Sequence, residues 1–335
     1  MLMKPRQLAL YGLSTIVLAA IVFVALNNYW EREQALPETA PQSAADVAGE
    51  KNYAVRFLTS DPDAADGWAS FSPDGKLILF SRSVGFGNSF ELYVIPAAGG
   101  DARRLTDSSL PVSATRAVWS KQSDLIAFTG MAENGECSIW VINPDGTNPR
   151  ELVLEGLSDF IFYPAWYPDG KHLAVVDNEV HVIKRIDIEQ RTVVDVTDAD
   201  DILAGKPSIS PDGEWIAFAG QKSTEQKYNK ALNALWLIDN VGMLRPLESG
   251  TVGGRRPNWS PDGKWLAFDA SGGRDPRATA VFIIRRDGTG LRQITDYALN
   301  ASTPVWSPDG TQLVVLAKYN PGPGPFGTAI VTLDE

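Results

Sequence analysis

The chain has 335 residues, among them 29 glycines and ten tryptophans, and a net charge of −11 at pH 7. Such acidity argues against a general nucleic-acid binder, which needs a basic face for phosphate contacts. A single cysteine, Cys137, excludes an intrachain disulfide, although a chain this long can fold without such staples even in an oxidising compartment.

The first segment reads as an address. Lys4 and Arg6 precede an uncharged stretch of 19 residues, Leu8 to Leu26. At ~1.5 Å per residue it nearly spans a hydrocarbon core of ~30 Å. Tyr11 lies near one end, and Tyr29 and Trp30 lie past the other, as interfacial aromatics do. A cleaved signal peptide is the competing reading. Its apolar region is usually shorter, and Ala25-Leu26-Asn27 makes a poor cleavage site, so an uncleaved anchor over residues 1–30 is preferred. The positive flank then stays in the cytoplasm, and the rest of this single-pass protein lies in the periplasm or extracellular space. Residues 31–52 are polar, rich in Ala, Pro and Glu, and without apolar periodicity, which predicts a flexible linker.

From residue 53 onward the chain repeats. Ser-Pro-Asp-Gly occurs at Ser72, Ser210, Ser260 and Ser307, Tyr-Pro-Asp-Gly at Tyr167, and a worn copy, Ser-Lys-Gln-Ser-Asp, at Ser120. These positions are spaced 48, 47, 43, 50 and 47 residues apart, a period that marks stacked or radial repeats. In the first repeat, Trp68–Phe71 reads as a short strand. Proline presets the turn and glycine takes its left-handed corner. Leu77–Phe80, Leu92–Ile95 and Ala102–Thr106 follow as strands. The third strand returns in later repeats as Ile139–Ile142, Val180–Ile183, Leu235–Ile238, Val281–Ile284 and Ala329–Val331. Four antiparallel strands per repeat, here named a to d, predict a blade, and six repeats predict an all-β, six-bladed β-propeller over residues 53–335. The sixth repeat ends after its strand c. Ala54–Thr59 matches the strand d pattern of Arg103–Thr106 and Leu291–Thr295, so the first strand is expected to complete the last blade and close the ring, removing two open edges.

The consensus is P-x-W-S-P-D-G-K-x-[LI]-A-F, then x-[LI]-[WY]-[VL]-[IM], then D-G-x-x-x-R-x-[LI]-T. It resembles the PD40, or WD40-like, repeat of TolB-type propellers over nearly all of 53–335, with five of six Pro-Asp pairs intact. The resemblance implies a bacterial-envelope propeller used for protein–protein interaction; with the membrane reached through the N-terminal helix, an envelope or secreted protein is the expected partner and the ring is expected to be monomeric. The same repeat type resembles the propeller of prolyl-oligopeptidase-like enzymes, whose chemistry sits in a separate α/β-hydrolase domain.

Catalytic and metal constellations are sparse. There is no G-x-S-x-G elbow. The two histidines, His172 and His181, fall on neighbouring strands of the third repeat, without an evident third metal ligand. Asp61–Gly67 resembles a calcium loop, but its third Asp comes one place late and the closing Glu is missing. Asp198, Asp200 and Asp201 read as a solvated loop, so no cofactor is expected and calcium is unsupported. Cys137 reads as a buried thiol at a strand start. Trp119, Trp166, Trp259 and Trp306 read as packing between blades. Asp74, Asp169, Asp212, Asp262 and Asp309 read as turn residues that accept nearby backbone N–H groups.

Short a–b and c–d turns fall on one face, and longer, dissimilar b–c and d–a loops on the other. Binding concentrates on variable loops held by a rigid scaffold. The residues entering each strand a, Asp66, Arg116, Tyr163, Lys206, Arg255 with Arg256, and Ser302, are expected to ring the channel there. Cations from three blades predict a mouth, at Arg116, Tyr163, Lys206, Arg255 and Arg256, that takes an anionic partner segment. In the competing reading these cations pair with Asp66, Asp159 or Asp201 and stabilise the ring. A non-enzymatic scaffold is the leading function. An envelope lyase or hydrolase, or a glycan binder using Phe162 and Tyr163, is the alternative.

Overall fold

The computed structural model describes residues 53–84, 89–107, 109–223, 233–247, 254–272, 278–319 and 325–333. The expected anchor and linker lie outside them, as do parts of six loops. Among the described residues no helix is long and apolar enough to cross a membrane. The only described helix is a single 3₁₀ turn, Tyr297–Leu299, capped by the Asp296 carboxylate.

The strands form six four-stranded antiparallel sheets. The first holds β2 (Ala64–Phe71), β3 (Leu77–Val84), β4 (Glu91–Pro96) and β5 (Arg103–Arg104), and the second β6 (Ser113–Trp119), β7 (Ile126–Met131), β8 (Cys137–Ile142) and β9 (Arg150–Glu151). The third holds β10 (Ile161–Trp166), β11 (His172–Asp177), β12 (Val182–Asp187) and β13 (Thr192–Asp195). The fourth holds β14 (Ile202–Ile209), β15 (Trp215–Lys222), β16 (Ala234–Asp239) and β17 (Leu244–Leu247), and the fifth β18 (Arg255–Trp259), β19 (Trp265–Ser271), β20 (Thr279–Arg285) and β21 (Arg292–Gln293). The sixth combines β22 (Ser302–Trp306), β23 (Gln312–Lys318) and β24 (Phe326–Thr332) with β1 (Ala54–Phe57), which pairs with β24 from Ala54↔Thr332 to Phe57↔Ala329. The third sheet differs from its expectation. Strand c begins at Val182 rather than Val180, because the chain turns at His181 with φ 57° and leaves Val180 exposed.

No sheet has a core of its own. Apolar side chains form six slabs, each shared by two neighbouring sheets. One joins Phe71, Ile78 and Phe80 of the first sheet to Val314 and Ile330 of the sixth, and another joins Leu235 and Leu237 to Leu266, Phe268 and Phe282. Burial of both faces explains why strands b and c read as continuous apolar runs.

Two motif residues acquire roles. In the turns, Ser72 Oγ donates to Asp74 Oδ1 (2.7 Å) and accepts from Leu77 N (2.9 Å), while Asp74 Oδ1 also accepts from Lys76 N (3.1 Å). Ser210, Ser260 and Ser307 repeat this arrangement with Asp212, Asp262 and Asp309. The worn second turn lacks glycine, and Asp124 takes the left-handed corner instead, at φ 43°. The threonine that ends the consensus supplies a buried acceptor to strand c. Thr106 Oγ1 accepts from Leu92 N (2.8 Å), Thr197 from Ile183 N (2.9 Å) and Thr295 from Val281 N (2.9 Å). Thr59, just past β1, does the same for Thr328 N (2.7 Å) across 269 residues of chain.

Candidate functional site

Strand a is the innermost strand of every sheet, and it bulges in all six, at the same place in five and one residue earlier in the fourth. Register shifts fall between Gly67 and Ser70, Thr115 and Val118, Phe162 and Ala165, Ala204 and Pro207, Arg255 and Asn258, and Ser302 and Val305. A bulge lets a strand re-aim a side chain that strict alternation would send elsewhere. Trp68, Arg116, Tyr163, Arg256 and Thr303 occupy these bulges with φ between 51° and 58°. Lys206 holds the corresponding place in the fourth sheet, beside Gly205.

A cavity of about 220 Å³ lies on the axis, lined from all six sheets, with Trp68, Arg116, Tyr163, Lys206 and Thr303 in its wall. The Arg116 guanidinium sits 4.9 Å from the Trp68 ring, 5.0 Å from Phe162 and 4.8 Å from Tyr163, and Trp68 meets Tyr163 edge-on at 5.3 Å. Among the described residues no carboxylate is paired with Arg116 or Lys206. Burial, followed by the nearby Arg256 charge, pushes the Lys206 ammonium down to about 8, against the pull of Asp269.

The structure therefore brings Arg116, Tyr163 and Lys206 into one cavity wall, which continues to the prolines of the short a–b turns and does not include Arg255 or Arg256. Arg256 Nε lies 3.3 Å from Asp269 Oδ1 and Arg255 Nε 3.5 Å from Asp269 Oδ2, while Arg255 Nη2 donates to Ser271 Oγ (3.1 Å). The carboxylate described beside both is Asp269, fully buried on β19, whereas the expected pairing named Asp66, Asp159 or Asp201. Arg256 also lies 5.8 Å from the Trp68 ring. Asp66, expected at the mouth, is buried and bound to Arg82, Nε at 2.6 Å and Nη2 at 3.1 Å. Phe162 and Tyr163 enclose Arg116 rather than forming an open platform. Trp68 and Asp269 escaped the sequence reading. Trp68 stands three places before Phe71, the column of Arg116, Tyr163 and Lys206, and Asp269 is a carboxylate within an apolar strand.

The remaining candidates have structural surroundings. His172 Nδ1 lies 2.6 Å from Asp169 Oδ2 and Nε2 3.3 Å from Asp187 Oδ2. His181 sits in the turn before β12, at the opposite end of the hairpin, so the two histidines do not meet. Among the described residues no three His, Cys, Asp or Glu side chains are grouped to hold a metal. Asp61 Oδ1 accepts from Asp63 N (2.9 Å), and Asp198 Oδ1 from Asp200 N (2.9 Å). Cys137 opens β8, and burial pushes its thiol up to about 11. Trp166, Trp259 and Trp306 reach the preceding sheet, donating through Nε1 to Val118 O (3.3 Å), Ser208 O (3.1 Å) and Asn258 O (3.2 Å).

The TolB beta propeller domain family matches residues 55–245. The chain is 32% identical over 149 residues to the uncharacterized peptidase YuxL of Bacillus subtilis (strain 168), covering 44% of this chain and 21% of that protein. It is 25% identical over 153 residues to the Tol-Pal system protein TolB of Francisella tularensis subsp. holarctica (strain OSU18), covering 44% of this chain and 34% of TolB. The chain thus spans well under half the length of either relative. A solved structure from Agrobacterium tumefaciens, assigned as TolB, superposes with a TM-score of 0.62 at 21% identity, over 84% of this chain and 94% of that one. That likeness speaks for the fold. With the family match running from β1 to the fourth sheet, more than half of the sequence, this chain belongs to the TolB beta-propeller domain family.

Proposed function

We propose that the protein is a membrane-anchored, extracytoplasmic TolB-like propeller that acts as a non-enzymatic protein–protein interaction scaffold in the bacterial envelope. In this reading the first strand closes the ring, and the channel mouth formed by Arg116, Tyr163, Lys206, Arg255 and Arg256 takes an anionic segment of an envelope or secreted partner. One observation carries it. In a chain of net charge −11, Arg116 and Lys206 face the axial cavity with no paired carboxylate among the described residues. Cations without a paired carboxylate in a walled channel focus field onto an opposite charge. The named Tol-Pal relative fits an envelope setting.

The test is affinity capture from envelope extracts with the full-length protein and an Arg116→Gln/Lys206→Gln variant of matching near-UV circular dichroism. The reading expects a protein retained by the wild type, released by raised salt and lost by the variant. Equal retention by both would remove the site from the mouth. Protease protection of intact cells would separately test which side of the membrane carries the propeller.

A further inference from the structure

The axial cavity is short of acceptors. Arg116 Nε, Trp119 Nε1 and Thr303 Oγ1 are buried without a hydrogen-bond partner, and all three residues line it. Thr303 is only 3% exposed. Trp119 departs from its repeat, since the equivalent indoles of Trp166, Trp259 and Trp306 all donate to a carbonyl of the preceding sheet. Each of the three orphan atoms is able to donate, and unmade buried donors are costly. Lys206 adds a fourth donor to the same wall. The group that would satisfy them is an acceptor, and the three cations of the wall, Arg116, Lys206 and the more exposed Lys121, make it an anion.

Size and wall chemistry narrow the class. The cavity, about 220 Å³, falls below the roughly 300–1,000 Å³ typical of drug-sized ligand pockets. It has no room for an oligosaccharide or a folded peptide. Its wall also contains the rings of Trp68, Tyr163 and Trp119, which suit a hydrocarbon body. Three ring centroids lie within 5.0 Å of the Arg116 guanidinium carbon, and its Nε has no hydrogen-bond partner. A planar guanidinium edge matches a planar carboxylate in two parallel hydrogen bonds. Phosphate sites are commonly built from backbone N–H groups at helix starts or in nests, and the described wall is strand and turn.

We infer that the axial cavity is a binding site for one carboxylate on a small apolar body, held by Arg116 and Lys206 with Trp119 and Thr303 as further donors. This rests on the charge reading of the channel given above and names its ligand. The same chemistry has two sources, a free short-chain acid or the carboxyl terminus of a partner chain.

The experiment is titration calorimetry of the full-length protein with propionate, inorganic phosphate, and a tripeptide ending in alanine, with either a free carboxylate or a terminal amide. Saturable one-to-one binding of propionate is expected, weakened at least tenfold in Arg116→Gln and in Lys206→Gln. Thr303→Val, which removes only a hydroxyl, should weaken it several-fold and guards against a folding defect in the charge variants. Free-acid peptide binding at least tenfold tighter than both its amide and propionate assigns the site to a partner's terminus. Propionate binding as tightly as the peptide assigns it to a free acid. Absence of saturable binding of either carboxylate, tighter binding of phosphate, or equal affinity in all three variants would each overturn the inference. Partner capture that persists without carboxylate binding would sink this site alone and leave the scaffold function standing.

Discussion

Asp66 ties the first sheet to the seam between the first and last strands, and its removal should destabilise the whole ring. It is 7% exposed. Its carboxylate accepts from Arg82 Nε at 2.6 Å and Nη2 at 3.1 Å, from Thr328 Oγ1 at 3.2 Å, and from Thr59 Oγ1. Thr59 in turn accepts from Thr328 N on β24. Asp66→Asn keeps the shape but leaves the Arg82 cation, 13% exposed, without its counter-charge. Breaking one partner of a buried pair costs about 3–5 kcal/mol. Arg82 retains ring contacts with Phe80 at 5.0 Å and Tyr93 at 5.7 Å, which places the expected loss near the lower bound, about 3 kcal/mol. That is a large share of a total stability of about 5–15 kcal/mol. Arg82→Met in the Asp66→Asn background removes the stranded charge, so the double variant should lose about 2 kcal/mol less than the sum of the single losses, well outside the roughly 0.3–0.5 kcal/mol of additive sites. Urea unfolding followed by tryptophan fluorescence measures all four corners. A loss under about 1 kcal/mol for Asp66→Asn, or additivity of the two substitutions, would refute the reasoning.

Thr295→Val should cost about 1–3 kcal/mol by leaving the buried Val281 amide unpaired, read as a lower urea midpoint and faster exchange of that amide. An unchanged midpoint would remove the threonine's role. Stability should fall as the pH drops below about 4. The Ser72 and Ser307 hydroxyls, followed by backbone N–H groups, hold Asp74 and Asp309 below the ordinary carboxylate value, and at Asp212 and Asp262 burial opposes but does not overcome the same bonds. The unfolded chain then takes up protons first, so this stability is present above the unfolded pKa and is lost as the pH passes down through the folded values. A urea midpoint flat from pH 7 to 3, or one unaltered in Asp262→Asn/Asp309→Asn, would contradict it. Lys206, lowered to about 8 by burial and Arg256 against Asp269, works in the opposite sense. Between about 8 and 10.5 the unfolded chain holds the extra proton, so stability should rise with pH there. Lys206→Met should abolish that rise and stabilise the protein at pH 7 by about 2 kcal/mol; a destabilised variant would show that Lys206 has a structural partner.

The legible part of the molecule is the part that repeats. Turn chemistry is local, so Pro73-Asp74-Gly75 and its copies announce hairpins wherever they occur, and a buried strand such as Leu266-Ala267-Phe268 is apolar for reasons the sequence states directly. The tryptophan column likewise marked contacts between blades before their carbonyl partners were known. Strand a reads too short in the sequence, as Trp68–Phe71 instead of Ala64–Phe71, because the bulge interrupts the apolar alternation that periodicity relies on. Strand c of the third sheet was set two residues early, since Val180 and Val182 look alike and only the backbone at His181 separates turn from strand. Within the site, Arg116, Tyr163, Lys206 and Arg256 share a column visible in the repeat. That Arg256 would turn to Asp269 while Arg116 would be enclosed by rings depends on which side chains neighbouring sheets bring together, and no single repeat contains that information.

The bulges carry the argument for function furthest. Non-glycine residues rarely occupy the left-handed region, at about 1–2 kcal/mol each, yet five sheets place Trp68, Arg116, Tyr163, Arg256 and Thr303 there. Thr303 is β-branched, the class for which such a backbone is least tolerable. Glycine would satisfy the same backbone at far lower cost, as it does at the corners of the Pro-Asp-Gly turns, where Gly75, Gly213, Gly263 and Gly310 have φ between 68° and 75°. Non-glycine residues also take this backbone in turns away from the axis, at Asp124, Asn148, His181, Arg191 and Asn300, but only in the strand a bulges does it recur from sheet to sheet. The turn residues serve the fold, which their hydrogen bonds already explain. The bulge residues instead surround the cavity, and three of them carry a cation or an unpaired donor into or beside it. Strain retained at positions that line a cavity is the pattern of residues kept for what they contact, and the Arg116 cation among them is what the proposed anionic ligand would meet.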